Sequence, residues 1–560
     1  MSRDEDIPQP PESFPTKQDA IRWMIDINAC QHKEARTKKS DTTRVHFQCT
    51  KEGCEFSCHI NKSADGLFRI AKWSWHTCGV IAQPKVKRAW IVEMAKVRLE
   101  ETEELEPKEL QRSLKTKHGV DVKDPAARKA LAKARMDRDD NEASFDMLPG
   151  LFEALKDQNP GTVAEIAMEE GRFVMAFLCP GPCARAWTHC PKIIALDGGH
   201  GSSAYKGVVL MATAMDGAGQ IFPIALGFAP SETNDSWRFF VSHLADALGI
   251  HDTPLTVISD RCKGIDNGVA EYLPRAAHSY CTFHISKNVL PFGQPAADLV
   301  WKLAYATTKR EYKEAKAVLR SISPKAHEYI KENVKRDRWV RAFFPLPRYG
   351  HITSNIAESS NSSFLKIRKY PPMKLFVKAV RKINATFEEK RALYANRNPA
   401  DIVDKVWAVV VKNVEDGRRL AARSVGGNIF DVDSQAGSSL SRTVDLGART
   451  CSCILFQDLG YPCIHACSAA LKAGVDIATL CIDERRVGSL QAVYQFGIIP
   501  VDLETIQQMA LLPPLVQRQT GRPKVKRIRS RIEDRQKRVY FCSFCHKRGH
   551  NVKTCPEKQA

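Results

Sequence analysis

Two short apolar runs, each closed by an aspartate, constrain this chain more than any other feature. Lys192-Ile-Ile-Ala-Leu-Asp197-Gly-Gly-His200 and Leu255-Thr-Val-Ile-Ser-Asp260 each read as a buried strand that delivers one carboxylate to the rim of a sheet. Both lie where strands alternate with helices, so the two strand ends fall side by side and two carboxylates meet where a divalent cation can be held. A third acid, Glu358, stands in Thr353-Ser-Asn-Ile-Ala-Glu-Ser-Ser-Asn-Ser-Ser-Phe364. Carboxylates are the hard oxygen donors that Mg²⁺ or Mn²⁺ prefers, and cysteine would be wrong there.

A chain of 560 residues, 43% hydrophobic, can bury at least one large core and carry several domains. Lys and Arg number 84 against 64 Asp and Glu, a formal net charge of +20, which favours a polyanionic partner such as nucleic acid. No apolar run is long enough to span a bilayer, and the start Met1-Ser-Arg-Asp-Glu-Asp is too acidic for a signal peptide, so the chain reads as soluble and intracellular. Of 18 cysteines, nine fall into three groups interleaved with histidine at metal-ligand spacing. In a reducing compartment zinc explains such groups better than disulfides do.

Residues 1–18 read as a disordered leader and 19–80 as a first zinc domain. Alternating segments at 44–49, 55–60 and 67–75 predict a small three-stranded antiparallel sheet, stapled by Cys49, Cys54, His76 and Cys78 as tetrahedral zinc ligands. Cys58 and His59 offer alternative ligands. Residues 81–140 turn helical and charged. Helices at 108–119 and 124–136 around a Gly-containing turn read equally as a helix-turn-helix that lies in DNA or as a solvated hairpin.

Over 141–370 the pattern predicts a mixed sheet, antiparallel at first and parallel later. Its strands fall at 193–196, 207–215, 221–227, 256–259 and 277–280, and its helices at 234–248 and 263–273. That order suits a ribonuclease-H-like core, with a helical insertion over about 288–350. Thr353 signals the start of a helix that carries Glu358 back to the two aspartates. Trp237 reads as core, and Arg261 and Lys263 read equally as phosphate contacts or solvated charges. Cys281 and His284 form a lone Cys-x-x-His, whose default reading is a core thiol beside a satisfied imidazole.

Residues 371–440 continue as helices. Within 441–485, Cys451, Cys453, Cys463 and His465 supply four zinc ligands in a compact loop-and-helix unit that binds DNA or protein, with Cys467 a spare core thiol. The basic segment 515–538 is centred on Thr520-Gly-Arg-Pro-Lys524, where Arg522, Pro523 and Lys524 suit an AT-hook in the minor groove. A nuclear-localisation signal is the competing reading, and the two are compatible. Residues 539–560 hold Cys542, Cys545, His550 and Cys555 at the spacing of a zinc knuckle, a fold small enough to depend on its metal. Such knuckles bind single-stranded nucleic acid, with Phe544 or Tyr540 as a stacking surface.

Six segments carry a resemblance. Asp197-Gly-Gly-His, Tyr205-Lys-Gly-Val, Met215-Asp-Gly-Ala-Gly-Gln-Ile-Phe-Pro-Ile-Ala, Asn234-Asp-Ser-Trp-Arg-Phe-Phe, Ile258-Ser-Asp-Arg-Cys-Lys-Gly-Ile and Cys281-Thr-Phe-His284 resemble, in this order, the transposase domain of Mutator-like elements. The first cysteine group resembles the WRKY-like zinc domain of that family, in which one strand enters the major groove, and the second resembles its SWIM zinc finger. The resemblance implies an α/β multidomain protein with small zinc domains around a ribonuclease-H-like core, and an acidic triad at Asp197, Asp260 and Glu358. It implies DNA cleavage and strand transfer with two Mg²⁺ or Mn²⁺ ions and three structural Zn²⁺, with Cys281 and His284 structural or DNA-facing. Terminal inverted repeats and target DNA are the implied partners, in a nuclear homo-oligomer. The competing expectation is a domesticated relative that regulates transcription and binds DNA without catalysis.

Overall fold

A computed structural model describes residues 11–30, 33–79, 86, 88–102, 105–118, 120–138, 143–201, 207–353, 362–435 and 440–514. Two compact units divide the chain, residues 1–141 and 142–560. Among the described residues no helix is long and apolar enough to cross a membrane.

The first unit opens with helix α1 (Lys17–Cys30), whose Ala20, Met24 and Ile27 are buried along one stripe. Ala20 and Met24 join Val45, Phe47, Cys58, Ile60 and Phe68 in one core. These belong to an antiparallel sheet of β1 (Ala35–Ser40), β2 (Arg44–Cys49), β3 (Ser57–Lys62) and β4 (Phe68–Ser74) in sequential order. Three of these strands occupy the segments where alternation places them. The fourth, β1, is a correction to the three-stranded expectation: Ala-Arg-Thr-Lys-Lys-Ser has no apolar alternation, because this edge strand is exposed along nearly its whole length. Helices α2 (Arg88–Glu101), α3 (Pro107–His118) and α4 (Asp124–Arg138) bury Trp90, Leu99, Leu110, Leu114 and Leu131 in a core of their own.

The second unit begins with α5 (Leu148–Gln158), the hairpin β5 (Val163–Glu169) and β6 (Arg172–Cys179), and α6 (Gly181–Thr188). Next come β7 (Ile193–His200), β8 (Val208–Met215), β9 (Ile221–Ala229), α7 (Asn234–Leu248), β10 (Thr256–Ser259), α8 (Lys263–Tyr272) and β11 (Ala277–Tyr280). The seven strands form one sheet in the order β11-β10-β7-β8-β9-β6-β5. Strands β7, β8 and β9 pair antiparallel, whereas β10 is parallel to both β7 and β11. Every residue of β8 is buried, as its unbroken apolar run demands of a central strand covered on both faces. The hairpin β5–β6, which the sequence reading leaves out, extends the sheet at its far edge.

Helix α7 starts at a capping box, Thr233 with Ser236, and ends at Gly249 in the left-handed conformation. It packs closely on α8: a Cβ at Gly264 would stand 2.7 Å from Trp237 Cδ1 and 2.8 Å from the Thr233 carbonyl. Helices α9 (Thr282–Val289), α10 (Gln294–Tyr305), α11 (Lys309–Ile322) and α12 (Pro324–Asn333) build a second core around Ile285, Val300, Leu319 and Trp339. Then α13 (Pro372–Tyr394) buries Leu375, Phe376, Ala379, Ile383 and Phe387 against the sheet core, and α14 (Asp404–Gly417) follows.

The remaining strands, β12 (Ala422–Gly426), β13 (Ile429–Asp433), β14 (Ser441–Asp445) and β15 (Thr450–Cys451), form a four-stranded antiparallel sheet against α15 (Ile464–Ala473). The sequence reading expects a loop and a helix there. Each strand has five residues or fewer and buries at most two of them, too little for the alternation to register. An ion pair of 3.0 Å between Arg341 and Asp458, both buried, ties this module to the helical layer.

Candidate zinc centres and a carboxylate row

Register decides how the two aspartates meet. Strands β7 and β10 pair in parallel with Thr256 opposite Ile193, Val257 opposite Ile194 and Ile258 opposite Ala195. The ladder ends there, and the same register carried on by two residues would bring Asp260 level with Asp197. Strand β11 continues the row. Ser259 is opposite Tyr280, so Cys281 follows level with Asp260, and its N–H donates to the Ser259 carbonyl at 2.9 Å. Both aspartates are half-buried, and the Cys262 N–H donates to Asp260 Oδ1 at 3.0 Å.

A further carboxylate that the sequence reading passes over joins them. Glu232, in the turn between β9 and α7, lays its carboxylate over Gly198: a Cβ there would stand 2.9 Å from Glu232 Oε1. The indole N–H of the fully buried Trp237 donates to the same oxygen at 3.1 Å. Glu232 is exposed as a residue, but its charged end is enclosed between these two groups. Burial, and then the charge of Asp260, push its carboxyl above the ordinary range. The buried Arg368 guanidinium lies in the field of Asp197.

The carboxylates stand more openly than the cysteine groups. Among the described residues, only Cys49, Cys54, His76 and Cys78, and Cys451, Cys453, Cys463 and His465, bring at least three ligand atoms all within 4.8 Å of one another. Glu358, the knuckle residues Cys542, Cys545, His550 and Cys555, and Arg522, Pro523 and Lys524 lie outside the described residues.

In the first group Cys49 closes β2, Cys54 follows in the turn, and His76 and Cys78 come after β4. Cys49 Sγ lies 3.8 Å from Cys78 Sγ, and His76 Nδ1 lies 3.5 Å and 3.7 Å from Cys54 and Cys78 Sγ. A tetrahedron with Zn–S bonds of about 2.3 Å has edges of about 3.8 Å, so the set fits zinc. The ring is keyed from behind, because His76 Nε2 donates to Asn28 Oδ1 at 2.9 Å and Phe56 stacks on it at 3.9 Å. Nδ1 therefore carries the ligand lone pair. Burial opposes ionisation of Cys54, but backbone N–H groups at Phe56, Cys78 and Thr77, with His76, hold it down to about 5. The alternative ligands are turned away: Cys58 is fully buried in the apolar core, and His59 stacks on His46.

The second group repeats the logic. Cys451 lies on β15, Cys453 in the turn after it, and Cys463 caps α15, whose first turn carries His465. Cys453 and Cys463 Sγ are 3.6 Å apart, and His465 Nδ1 stands 3.8 Å from both Cys451 and Cys463. His465 Nε2 donates to the Ser434 carbonyl at 3.3 Å. Cys467 is buried and faces the Pro462 carbonyl instead.

The MULE transposase domain family matches residues 193–288, which include Asp197, Glu232, Asp260, Cys281 and His284, and the SWIM zinc finger family matches residues 442–474. The chain carries a MULE transposase domain. A SWIM zinc finger follows it, and this pairing is consistent with a MULE transposase. A comparison with curated proteins finds no match. Among solved structures, "Crystal structure of AFT2 in complex with DNA" is 15% identical over 23% of this chain and 95% of that chain, with a TM-score of 0.12, a likeness too low to bear on fold or partner.

Proposed function

We propose that this protein is a DNA transposase that binds the terminal inverted repeats of its element, cuts DNA at their ends and transfers the strands to target DNA. The observation that carries the reading is the parallel ladder of β7 and β10 within the MULE domain, which supports Asp197 and Asp260 as neighbours. The order of β7 to β11, three antiparallel strands and then two parallel ones, supports a ribonuclease-H-like core.

Asp197, Asp260 and Glu358 would hold two Mg²⁺ or Mn²⁺ ions, which supply Lewis-acid activation of the attacking oxygen and neutralise the leaving one. The residues themselves place and orient. The β7–β10 ladder supports a close spacing of the two aspartates, and Trp237 and Gly198 hold the Glu232 carboxylate near them. Burial, and then the charge of Asp260, raise the Glu232 carboxyl, and a cation held there would offset both. Cys281 follows β11 at the strand-end row and His284 stands in the first turn of α9, as structural or DNA-facing groups.

In this reading the amino-terminal zinc domain and helices α2 to α4 bind repeat DNA, the segment with Arg522, Pro523 and Lys524 grips a minor groove, and the knuckle holds a third zinc and single-stranded nucleic acid. The net charge of +20 supports such partners, the basic carboxyl-terminal segment supports a nuclear protein, and self-association follows from the analogy with transposases alone. The test is cleavage of a labelled duplex ending in the element's own repeat, with Mg²⁺ or Mn²⁺. Nicking at the repeat boundary that vanishes in Asp197→Asn and Glu358→Gln supports the transposase. Tight binding without cleavage identifies a DNA-binding regulator instead.

A further inference from the structure

Ser259, the last residue of β10, and His278 of β11 are both buried, and their polar atoms meet inside the sheet layer. Ser259 Oγ lies 2.8 Å from His278 Nε2. Across the ring, His278 Nδ1 lies 3.0 Å from Oδ1 of Asp266, which stands on α8. The Tyr280 hydroxyl donates to both Asp266 carboxylate oxygens at 3.1 Å. Burial opposes ionisation of Asp266, but His278, then Tyr280 and Arg338, hold its carboxyl below the ordinary range.

A serine, an imidazole and a carboxylate in line have the outline of a nucleophilic triad, in which the serine gives its proton to the imidazole. Here the protons run the other way. Ser259 Oγ has a single hydrogen and donates it to the Asp260 carbonyl at 2.6 Å. The bond between Ser259 and His278 is then donated by Nε2–H, and the Asp266 carboxylate, an acceptor, takes Nδ1–H. Ser259 is 0% exposed, so no substrate reaches its oxygen.

The line of bonds therefore ends on the backbone of Asp260, whose side chain takes the Cys262 N–H at Oδ1. A buried ionic pair adds little stability over well-packed apolar side chains of the same size. What this one adds is direction, because each bond admits one orientation of the next group.

We infer that Asp266, His278 and Ser259 form a positioning relay that holds the Asp260 peptide, and through it the angle at which the Asp260 carboxylate meets a divalent metal. This rests on the reading of Asp260 as a metal ligand of a DNA-cutting centre. The three residues touch neither metal nor DNA in this account; they orient a residue that does.

The test measures half-saturating Mn²⁺, both for binding by electron paramagnetic resonance and for cleavage of the repeat duplex, together with KM for that duplex. The zinc-loaded full chain is used in wild type, Ser259→Ala, Ser279→Ala, His278→Gln and His278→Asn, with urea unfolding of each. Ser279 is the control, because it is equally buried on the adjoining strand but its hydroxyl accepts from Arg348 at 3.4 Å. Ser259→Ala is expected to raise half-saturating Mn²⁺ about 10-fold with KM unchanged, and Ser279→Ala to leave both at wild-type values. A glutamine amide reaches the place of Nε2 and can donate to Ser259, whereas asparagine reaches only the place of Nδ1. His278→Gln is therefore expected to stay close to wild type and His278→Asn to match Ser259→Ala; this pair decides the matter where Ser259→Ala does not fold. Wild-type Mn²⁺ dependence in Ser259→Ala, an equal shift in Ser279→Ala, or equal values for the two His278 variants overturns the inference and leaves the cleavage reading standing. Mn²⁺ binding without cleavage in wild type removes the cleavage reading alone, and the binding curves still decide the relay. Absence of both removes both.

Discussion

Gly198→Ala separates the geometry of the carboxylate row from the stability of the fold. The new Cβ would stand 2.9 Å from Glu232 Oε1, 3.0 Å from Cδ and 3.2 Å from Oε2. To reach ordinary contact the carboxylate retreats by roughly 0.5 Å. The Trp237 hydrogen bond, now 3.1 Å, then lengthens beyond useful range. A hydrogen bond to an ionised acceptor contributes about 1.5–3 kcal/mol when fully enclosed, and less here because Glu232 as a residue reaches water. Alanine in place of a strand glycine returns about 0.4–1 kcal/mol through the unfolded chain. Folding stability is therefore expected to change by less than about 1 kcal/mol, whereas misplacing a group by about an ångström costs up to 100-fold in rate. The assay is Mn²⁺-dependent cleavage beside urea unfolding, with Glu232→Gln as the isosteric partner. Wild-type cleavage in both variants would refute the role given to Glu232, and so would a loss of activity that only tracks unfolding.

Asn28→Ala removes the acceptor that fixes His76, and zinc affinity of the amino-terminal site is expected to fall about 10–100-fold in chelator competition while the SWIM site is unchanged. His351 is buried enough, beside Arg485, to lie at about 4 against its ordinary 6.5. The unfolded chain then binds more protons between those values, so stability falls as pH drops from 6.5 to 4, by up to about 3 kcal/mol. Urea unfolding of His351→Asn, with zinc content checked at each pH, is expected to show a flatter dependence over that window.

How much of this was legible depended on how each residue is buried. Strands β7, β8 and β10 announce themselves because both their faces are covered and their sequences are unbroken apolar runs. Strand β1 is silent because neither face is covered. The β5–β6 hairpin did carry a signal, the two-residue turn Glu170-Gly171 with both φ positive, and the reading did not use it. The zinc ligands were legible because spacing in sequence maps onto short turns. The preference for Cys54 over Cys58 agrees with the face of β3 that looks inward, where Cys58 is buried in the apolar core. Glu232 was hidden because no local pattern ties a turn residue to a glycine on a strand more than thirty positions earlier.

The central claim is that Asp197 and Asp260 hold divalent metal together, and counting Mn²⁺ bound to the full chain by electron paramagnetic resonance tests it most directly. Wild type, Asp197→Asn and Asp260→Asn are compared at equal zinc content. The account predicts bound Mn²⁺ in wild type and its loss in either variant. Equal Mn²⁺ binding by all three proteins would contradict it.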